Sequence, residues 1–243
     1  GRPVQDWDLA TDADADAVIG LFPGIRSFRL KHDTVTLTEG RLSCEVTPFR
    51  GRPGERRSLT GDLARRDFTL NAMAFDPVSK ELLDPHGGCA DIARRRIRAV
   101  GGPEARFAED PLRVLRAVRF AATLGFEVDP RTLEAVSGCA GWIARIAAER
   151  VRNELSALLL APKPSVGLRL MQRTGLMAQV LPELLEGRWM RQNRYHRYTV
   201  LRHTLETVDR VDREPLLRWT ALLHDVAKPR VRTREEGRWR FLG

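Results

Sequence analysis

Lysine and cysteine are scarce in this 243-residue chain, and long apolar runs are missing from it. The three cysteines, Cys44, Cys89 and Cys139, are odd in number and widely spaced, which argues against a disulfide framework and against a zinc knuckle. No apolar run approaches the roughly 20 residues that a membrane-spanning helix needs, and no signal peptide opens the chain. These absences leave a cytoplasmic protein without a membrane partner as the expectation.

Arginine supplies nearly all of the positive charge. Only four lysines occur among 41 basic residues, which exceed the 32 acidic residues and give a net charge of +9. An arginine-rich basic surface is typical of proteins that recognise phosphate and nucleic acid, although a high-GC genome also enriches arginine. The charge therefore favours a nucleic-acid partner without establishing one.

The periodicity of the chain changes near residue 105. Before that point short apolar segments alternate with turn residues, and from Asp110 onward the pattern is helical almost throughout. This mixture suggests an α/β domain up to about residue 105, followed by a helical region. The predicted strands are 35–38, 42–47, 71–75 and 96–100. The predicted helices are 14–21, 60–66, 110–124, 130–138, 142–160, 164–174 and 199–211.

The segment from Glu109 to Phe120 carries a helix with two distinct sides. Pro111 suits its first turn, and Arg113, Arg116 and Arg119 recur every third residue beside an apolar stripe. A carboxylate followed one turn later by a guanidinium can offer acceptors and donors to the edge of a nucleobase. The same pattern also fits a plain amphipathic, salt-bridged helix, so it needs support from elsewhere in the chain.

Asp6 and Asp8 flank Trp7 near the start of the chain. In a strand both carboxylates would point to one face, where their mutual repulsion calls for a cation such as Mg²⁺. Alone this spacing is a weak signal, because a surface turn with solvated acids reads the same way.

Taken in order, the motifs of the chain resemble those of class II tRNA nucleotidyltransferases and poly(A) polymerases, the family of the bacterial CCA-adding enzymes. The motifs are Asp6-x-Asp8, Arg65-Arg66-Asp67-x-x-x-Asn71, Asp84-Pro85-x-Gly87-Gly88, Glu109-Asp110-x-x-Arg113 and Glu149-Arg150. The resemblance covers essentially the whole chain. It implies an α+β fold with a small mixed-sheet head, residues 1–105, an all-α neck, residues 106–190, and the beginning of an all-α HD domain, residues 191–243. It implies an enzyme that extends an RNA 3′ end from nucleoside triphosphates with Mg²⁺ as cofactor.

The resemblance also implies roles for single residues. Asp6 and Asp8 would hold Mg²⁺, and Glu45 in the strand 42–47 would be a third catalytic carboxylate or else a strand acid that faces water. Arg66, Asp67 and Asn71 would bind the phosphates and ribose of the nucleotide.

Base selection is assigned to the helix after residue 109. Asp110 and Arg113 would read the Watson–Crick edge of CTP and ATP, and Arg116 and Arg119 would contact phosphates. Because G and U present different edge groups, pairing with the same residues would leave polar groups unsatisfied.

Near the end of the chain, His203 and the pair His224-Asp225 resemble an HD-domain signature, which some bacterial members of the same family carry. These residues could bind a divalent transition metal and activate water on a phosphate ester, with His196 as a possible auxiliary ligand. The alternative is a helical tail without chemistry.

Two further expectations follow from the resemblance. The glycine-rich segment that precedes Asp-x-Asp in the family would lie before residue 1, and the HD pattern would continue after residue 243, so we expect a fragment truncated at both ends. Asp33 stands where the family usually has glycine, so the loop around it is expected to depart from the family's geometry.

The most direct interpretation is addition of CCA to the 3′ end of tRNA from CTP and ATP, with contacts to the acceptor stem. A poly(A) polymerase or an enzyme that adds only CC or only A would use nearly the same residues. Outside this activity, the alternatives are an HD-site phosphohydrolase and a basic RNA-binding protein without catalysis.

Overall fold

The computed structural model describes residues 7–30, 33–40, 42–49, 51, 57–191, 198–235 and 238–241. The chain divides into two compact units. The first comprises Gly1–Arg66 and Asn71–His86, and the second comprises Asp67–Leu70 and Gly87–Gly243. The sequence-based boundary at residue 105 lies inside the second unit, which also contains the residues assigned to the neck and to the third domain.

A four-stranded mixed sheet forms the centre of the first unit. Its strands are β1 (Trp7–Thr11), β2 (Arg26–Arg29), β3 (Val35–Glu39) and β4 (Leu42–Pro48). Their order is β1-β4-β3-β2; β1 and β4 run parallel, whereas the other two pairs are antiparallel. Alternation along β3 and β4 places Val35, Leu37 and Val46 on one face, where they are buried with Ala15 and Val18 of helix α1 (Ala15–Leu21), which follows β1.

Three local features complete the first unit. Helix α1 (Ala15–Leu21) begins after Asp14, whose side chain accepts a hydrogen bond from the Ala17 N–H. Ser58 caps helix α2 (Leu59–Leu63) in the same way. Strands β5 (Ala74–Phe75) and β6 (Leu82–Leu83) form an antiparallel pair.

The loop before β3 accommodates Asp33 at a position that favours glycine. Its φ of +61° lies in the left-handed region, which L side chains other than Asn and Asp rarely adopt. The Asp33 carboxylate accepts hydrogen bonds from Nε and Nη2 of Arg29 at 3.2 and 2.8 Å. An aspartate therefore takes up the backbone conformation of a glycine here.

The second unit is mainly helical. Its helices are α3 (Gly88–Ala93), α4 (Pro103–Glu109), α5 (Leu112–Leu124), α6 (Pro130–Gly138), α7 (Ala148–Leu159), α8 (Pro164–Thr174), α9 (Leu176–Val180), α10 (Pro182–Glu186), α11 (Val200–Arg210) and α12 (Pro215–Leu223). Two short sheets accompany them. These are the parallel pair β7 (Arg96–Ile97) and β8 (Glu127–Val128), and the antiparallel pair β9 (Arg232–Glu235) and β10 (Arg238–Phe241).

Helix α5 lies in the core of this unit and packs against α7 and α8. Leu115 of α5, Leu158 of α7 and Leu168 of α8 are completely buried together. One side of α5 is thereby fixed in the core, which leaves its arginine-bearing side to define the candidate site.

The predicted α+β fold class, a small mixed sheet followed by a helical region, is confirmed. Helices predicted at 130–138, 164–174 and 199–211 match α6, α8 and α11 to within a residue at each end. Other elements differ from the predictions: the helix predicted at 60–66 is α2, Leu59–Leu63, and the strand predicted at 96–100 is only β7, Arg96–Ile97.

The predicted helix 110–124 begins later than expected, because Pro111 separates two helices. Asp110 precedes the proline with extended backbone angles, φ −149° and ψ 100°, as steric contact with the proline ring requires. Helix α4 therefore ends at Glu109 and α5 starts at Leu112.

Two other segments are shorter than predicted. The predicted strand 71–75 is reduced to β5, because residues 69–71 form a single 3₁₀ turn. The predicted helix 142–160 is a 3₁₀ segment, Ala140–Arg145, followed by extended Ile146 and then by α7.

Candidate nucleotide and metal sites

Asp8 and Glu45 lie side by side on one face of the sheet in the first unit. The parallel pairing of β1 with β4 places Asp8 opposite Glu45, and the antiparallel pairing of β4 with β3 continues the row to Thr36. Cys44 and Val46, which alternate with Glu45, point to the other face. Adjacent carboxylates supply the hard oxygen donors that a divalent cation prefers, so this pair fits a metal such as Mg²⁺. Asp6 lies outside the described residues.

The same carboxylates influence the neighbouring thiol. Partial burial raises the pKa of Cys44, and the negative charges of Asp8 and Glu45 raise it further. Burial is the larger cause, and the two carboxylates add to it.

Arg66 is oriented by a buried carboxylate within the first unit. Asp62 on α2 is only 1 % exposed and accepts hydrogen bonds from Nε and Nη2 of Arg66 at 3.0 and 2.8 Å. Asp62 and Arg66 are four residues apart, so their side chains lie on the same side of the last turn of α2 and the residues that follow it. Asn71, predicted to act with Arg66, is partly buried at the end of the 3₁₀ turn.

In the second unit, Asp67 is bound by Arg116. One carboxylate oxygen of Asp67 accepts the Phe68 N–H at 2.8 Å, and the other accepts Nε of Arg116 at 2.7 Å. Arg116 Nη1 and Arg119 Nε then donate to the two carboxylate oxygens of Glu154 at 3.1 and 2.6 Å. Burial lowers the pKa of Arg116, but Asp67 and Glu154 outweigh burial and raise it.

The predicted base-reading residues have separate partners in the structure. One oxygen of Asp110 accepts the Leu112 N–H at the start of α5, and the other accepts Nη2 of Arg150 at 2.8 Å. Arg113 Nη1 donates to Glu109 and to the Arg106 carbonyl oxygen, both at 3.0 Å. The Asp110 carboxylate, just before α5, and the Arg113 guanidinium, in its first turn, are thus each oriented by neighbouring charged or polar groups.

Glu154 was not among the residues selected from the sequence. It follows Arg150 by four residues, so both lie on one side of α7. That spacing was visible in the sequence, but the identity of its partners on α5 depends on tertiary packing.

His203, His224 and Asp225 are brought together by α11 and the end of α12. The Nε2 atoms of the two histidines are 3.3 Å apart, and they lie 3.8 Å (His203) and 3.2 Å (His224) from Oδ2 of Asp225. The ligand atoms of all three lie within 4.8 Å of one another, as ligands of one metal ion would. Lys228 Nζ lies 2.8 Å from the same Asp225 oxygen.

The orientation of His224 also suits metal binding. Its Nδ1 lies 2.9 Å from the Ala221 carbonyl oxygen. If Nδ1 carries the proton and donates to this carbonyl, Nε2 is left with the lone pair that a metal needs. His196, the proposed auxiliary ligand, lies outside the described residues.

The described part of the chain contains no helix that is long and apolar enough to cross a membrane.

Comparison with known proteins identifies the parts of the chain. A sequence model described as the poly(A) polymerase head domain matches residues 1–98. A second, described as the probable RNA- and SrmB-binding site of polymerase A, matches residues 125–187.

Named relatives and solved structures agree with these matches. The chain is 44 % identical over 186 residues to the CCA-adding enzyme of Geobacillus sp. (strain WCH70), covering 72 % of this chain and 46 % of that protein. It is 42 % identical over 252 aligned positions to the A-adding tRNA nucleotidyltransferase of Deinococcus radiodurans, covering 98 % of this chain and 56 % of that protein. The crystal structure of the Bacillus stearothermophilus CCA-adding enzyme in complex with CTP matches with a TM-score of 0.73 at 35 % identity, over 94 % of this chain and 56 % of that one.

The chain spans about half the length of the curated relatives it matches. Both family models, the relatives and the solved structure confirm the resemblance inferred from the motifs. The chain belongs to the family of tRNA nucleotidyltransferases and poly(A) polymerases.

Proposed function

We propose that this chain catalyses addition of CCA to the 3′ end of tRNA from CTP and ATP. The observation that carries the proposal is the pairing of Asp8 with Glu45 on one face of the sheet, in a chain of this family. A protein that only binds RNA has no use for adjacent carboxylates that repel one another, whereas phosphoryl-type transfer requires charge of this kind to hold a cation.

In the proposed reaction the 3′-hydroxyl oxygen of the RNA attacks the α-phosphorus of the nucleoside triphosphate. The bond from this phosphorus to the α,β-bridging oxygen breaks, pyrophosphate leaves, and the hydroxyl proton passes to solvent. Asp6, Asp8 and Glu45 would hold Mg²⁺, which when bound supplies positive charge to the phosphates and lowers the pKa of the attacking hydroxyl. Arg66, oriented by Asp62, and Asn71 would bind phosphate and ribose.

Asp110 and Arg113 would select the base. C and A both present an exocyclic amino donor beside a ring-nitrogen acceptor, so one carboxylate and one guanidinium can pair with either. Arg150 binds Asp110, and Glu109 binds Arg113. These contacts support the role, because they orient each side chain before a nucleotide arrives.

Arg116 and Arg119 were expected to contact phosphates. Their bonds to Asp67 and Glu154 favour instead a role in holding the nucleotide-binding residues in place. tRNA is the proposed RNA partner, contacted mainly through phosphates and shape along arginine-rich surfaces, and the cytoplasm is the proposed compartment.

Addition of A alone is the closest alternative, since the Deinococcus radiodurans relative that matches nearly the whole chain is named an A-adding enzyme. Addition of CC alone and poly(A) synthesis are the other variants of the same chemistry. Supplying CTP and ATP separately and together, with products resolved at single-nucleotide length, distinguishes all four.

A second candidate function is a metal-dependent phosphohydrolase at His203, His224 and Asp225. The close approach of these three ligand atoms supports it. Two imidazoles and a carboxylate suit a divalent transition metal, which would polarise a phosphate ester and supply bound water. Asp8→Ala should abolish nucleotide addition and leave any phosphatase activity intact, and loss of both would contradict two separate sites.

A further inference from the structure

Four charged side chains form a continuous, largely buried chain in the second unit, in the order Asp67, Arg116, Glu154, Arg119. The three links measure 2.7, 3.1 and 2.6 Å. The exposed fractions of the side chains are 9 %, 30 %, 13 % and 15 % in the same order. Two carboxylates balance two guanidinium groups, so this network of four side chains is electrically neutral. Its members stabilise one another away from bulk water.

Aromatic rings reinforce the same connection. The Arg119 guanidinium lies 4.1 Å from the centroid of Phe120, and Phe120 meets Phe68 edge to face at 5.7 Å. Phe68 directly follows Asp67, so an ion pair and a ring contact both tie residues 67–70 to α5.

These contacts change the expected use of the two arginines. A guanidinium already bonded to one or two carboxylates has most of its charge neutralised, and its attraction for a phosphate is correspondingly weaker. Arg116 and Arg119 are therefore better suited to fix the geometry of the nucleotide-binding residues than to bind phosphate themselves.

Glu154 occupies the centre of the arrangement. Both of its oxygens are used, and it is joined on the same side of α7 by Arg150, which binds Asp110 at the start of α5. Helix α7 thus contacts α5 through Glu154, and it contacts Asp110, just before α5, through Arg150. One face of α7 therefore bonds both to Arg116, the partner of Asp67, and to Asp110.

We infer that Glu154 is a positioning residue for nucleotide selection: by binding Arg116 and Arg119 it sets the position of α5, and thereby of Asp110, relative to Asp67. The inference rests on the proposed function. Without the carboxylate, two neighbouring, largely buried guanidinium groups would repel one another and the side of α5 that faces α7 would move. A displacement of about 1 Å in a reacting or recognising group can cost on the order of 100-fold in rate.

The test compares Glu154→Gln with Glu134→Gln in the natural polypeptide that carries this sequence. Glu134 is exposed on α6 of the same unit, so the control makes the same charge change away from α5. Steady-state addition to tRNA lacking CCA is measured with CTP, ATP, UTP and GTP, together with equilibrium binding of CTP and UTP and the thermal unfolding midpoint.

For Glu154→Gln we expect kcat for CTP and ATP to fall about 10- to 100-fold, with KM changing less, and discrimination against UTP to fall about 10-fold or more. Glu154→Asp keeps the charge with a shorter reach, so it should give intermediate values. The control should stay within twofold of the unchanged protein in every measurement.

If Glu154 is only structural, Glu154→Gln will lower the unfolding midpoint but leave kcat and discrimination within twofold of the unchanged protein at temperatures well below that midpoint. This result would overturn the inference. If Glu154→Gln does not fold, Glu154→Asp decides by the same criteria. If the unchanged protein binds CTP over UTP but adds no nucleotide, the proposed function fails, while loss of that binding preference in Glu154→Gln would still support the inference. If the unchanged protein neither adds nor discriminates, both fail.

Discussion

At the scale of the residue, the central feature is the pair of carboxylates on neighbouring strands. Asp8 belongs to β1 and Glu45 to β4, and the strand register makes them neighbours although 37 positions separate them in the chain. Sequence alternation predicts that Glu45 shares a face with every second residue of β4. It cannot predict the pairing of β1 with β4, because that depends on the crossover through α1, β2 and β3.

Removing either carboxylate should abolish most of the activity without unfolding the protein. Asp8→Asn or Glu45→Gln takes one negative charge from the proposed Mg²⁺ site, so we expect kcat to fall about 100-fold or more. Nucleotide addition at saturating Mg²⁺ measures the effect, and circular dichroism checks the fold. Glu39→Gln, an exposed acid on β3 of the same sheet, is the matched control and should be close to unchanged. Equal activity of Glu45→Gln and the unchanged protein would remove Glu45 from the site.

Replacing Asp110 should relax base selection. Asp110→Ala removes the acceptor proposed to pair with the amino group of C or A, and it also leaves Arg150 without this carboxylate. We expect discrimination against UTP and GTP to fall about 10- to 100-fold, since an unsatisfied polar group costs about 1–3 kcal/mol. Competition between CTP and UTP in a single addition measures it, with Glu104→Gln on α4 as the exposed control. Discrimination that survives in Asp110→Ala would place base reading elsewhere.

At the scale of the element, α5 shows which contacts a sequence pattern can predict and which it cannot. The arginine and leucine stripes predict its two sides correctly, since Leu112, Leu115 and Val118 are buried as expected. The partners of the arginines are not predictable from these stripes, because Glu154 is 35 or more positions away and reaches them only through the packing of α7 on α5. The start of α5 was misplaced because Pro111 was assigned to a first turn continuous with Asp110, whereas Asp110 is extended.

The crossing of α8 over α5 and α7 depends on Gly167. A Cβ built on Gly167 would lie 2.9 Å from Leu158 Cδ1 and 3.2 Å from Ala122 Cβ, both in the closely packed core. Gly167→Val should therefore destabilise the protein by about 1–3 kcal/mol through overpacking. Gly138→Ala at the end of α6 meets nothing within 4 Å and should be neutral or slightly stabilising. Urea unfolding measures both, and an unchanged midpoint for Gly167→Val would show that the helices can separate at little cost.

The proposed metal site at α11 and the end of α12 can be tested without any enzymatic assay. Titration calorimetry with Zn²⁺ or Mn²⁺ should detect one site at His203, His224 and Asp225, and His203→Ala should weaken it at least 10-fold because one of three ligands is lost. Binding should weaken as the pH falls, since protons compete with the metal for the imidazoles. His86→Ala, in the first unit, is the control. If neither His203→Ala nor a change of pH alters the affinity, the metal binds elsewhere.

At the scale of the whole molecule, the order of the motifs predicted the family and the α+β fold class. The ordered set was informative because each motif alone has a simple structural alternative, whereas the sequence of all of them matches one family. Composition contributed less: a net charge of +9 favours RNA but fits many basic proteins. The compact units differ from the predicted domains because residues 67–70 pair with 98–100, through the Phe68–Ala99 bridge and the Val100 N–H to Asp67 carbonyl hydrogen bond. Pairing between segments about 30 positions apart is invisible to local periodicity.

The most direct test of the account is nucleotide addition to tRNA that lacks its terminal CCA. The natural polypeptide that carries this sequence is incubated with this tRNA, Mg²⁺ and each nucleoside triphosphate singly and in combination, and products are resolved at single-nucleotide length. The account predicts two additions with CTP alone, a third when ATP is also present, and then a stop. A single A added only to tRNA ending in CC would make the chain an A-adding enzyme, and a long ladder with ATP alone would make it a poly(A) polymerase. No extension with any nucleotide would contradict the transferase function itself.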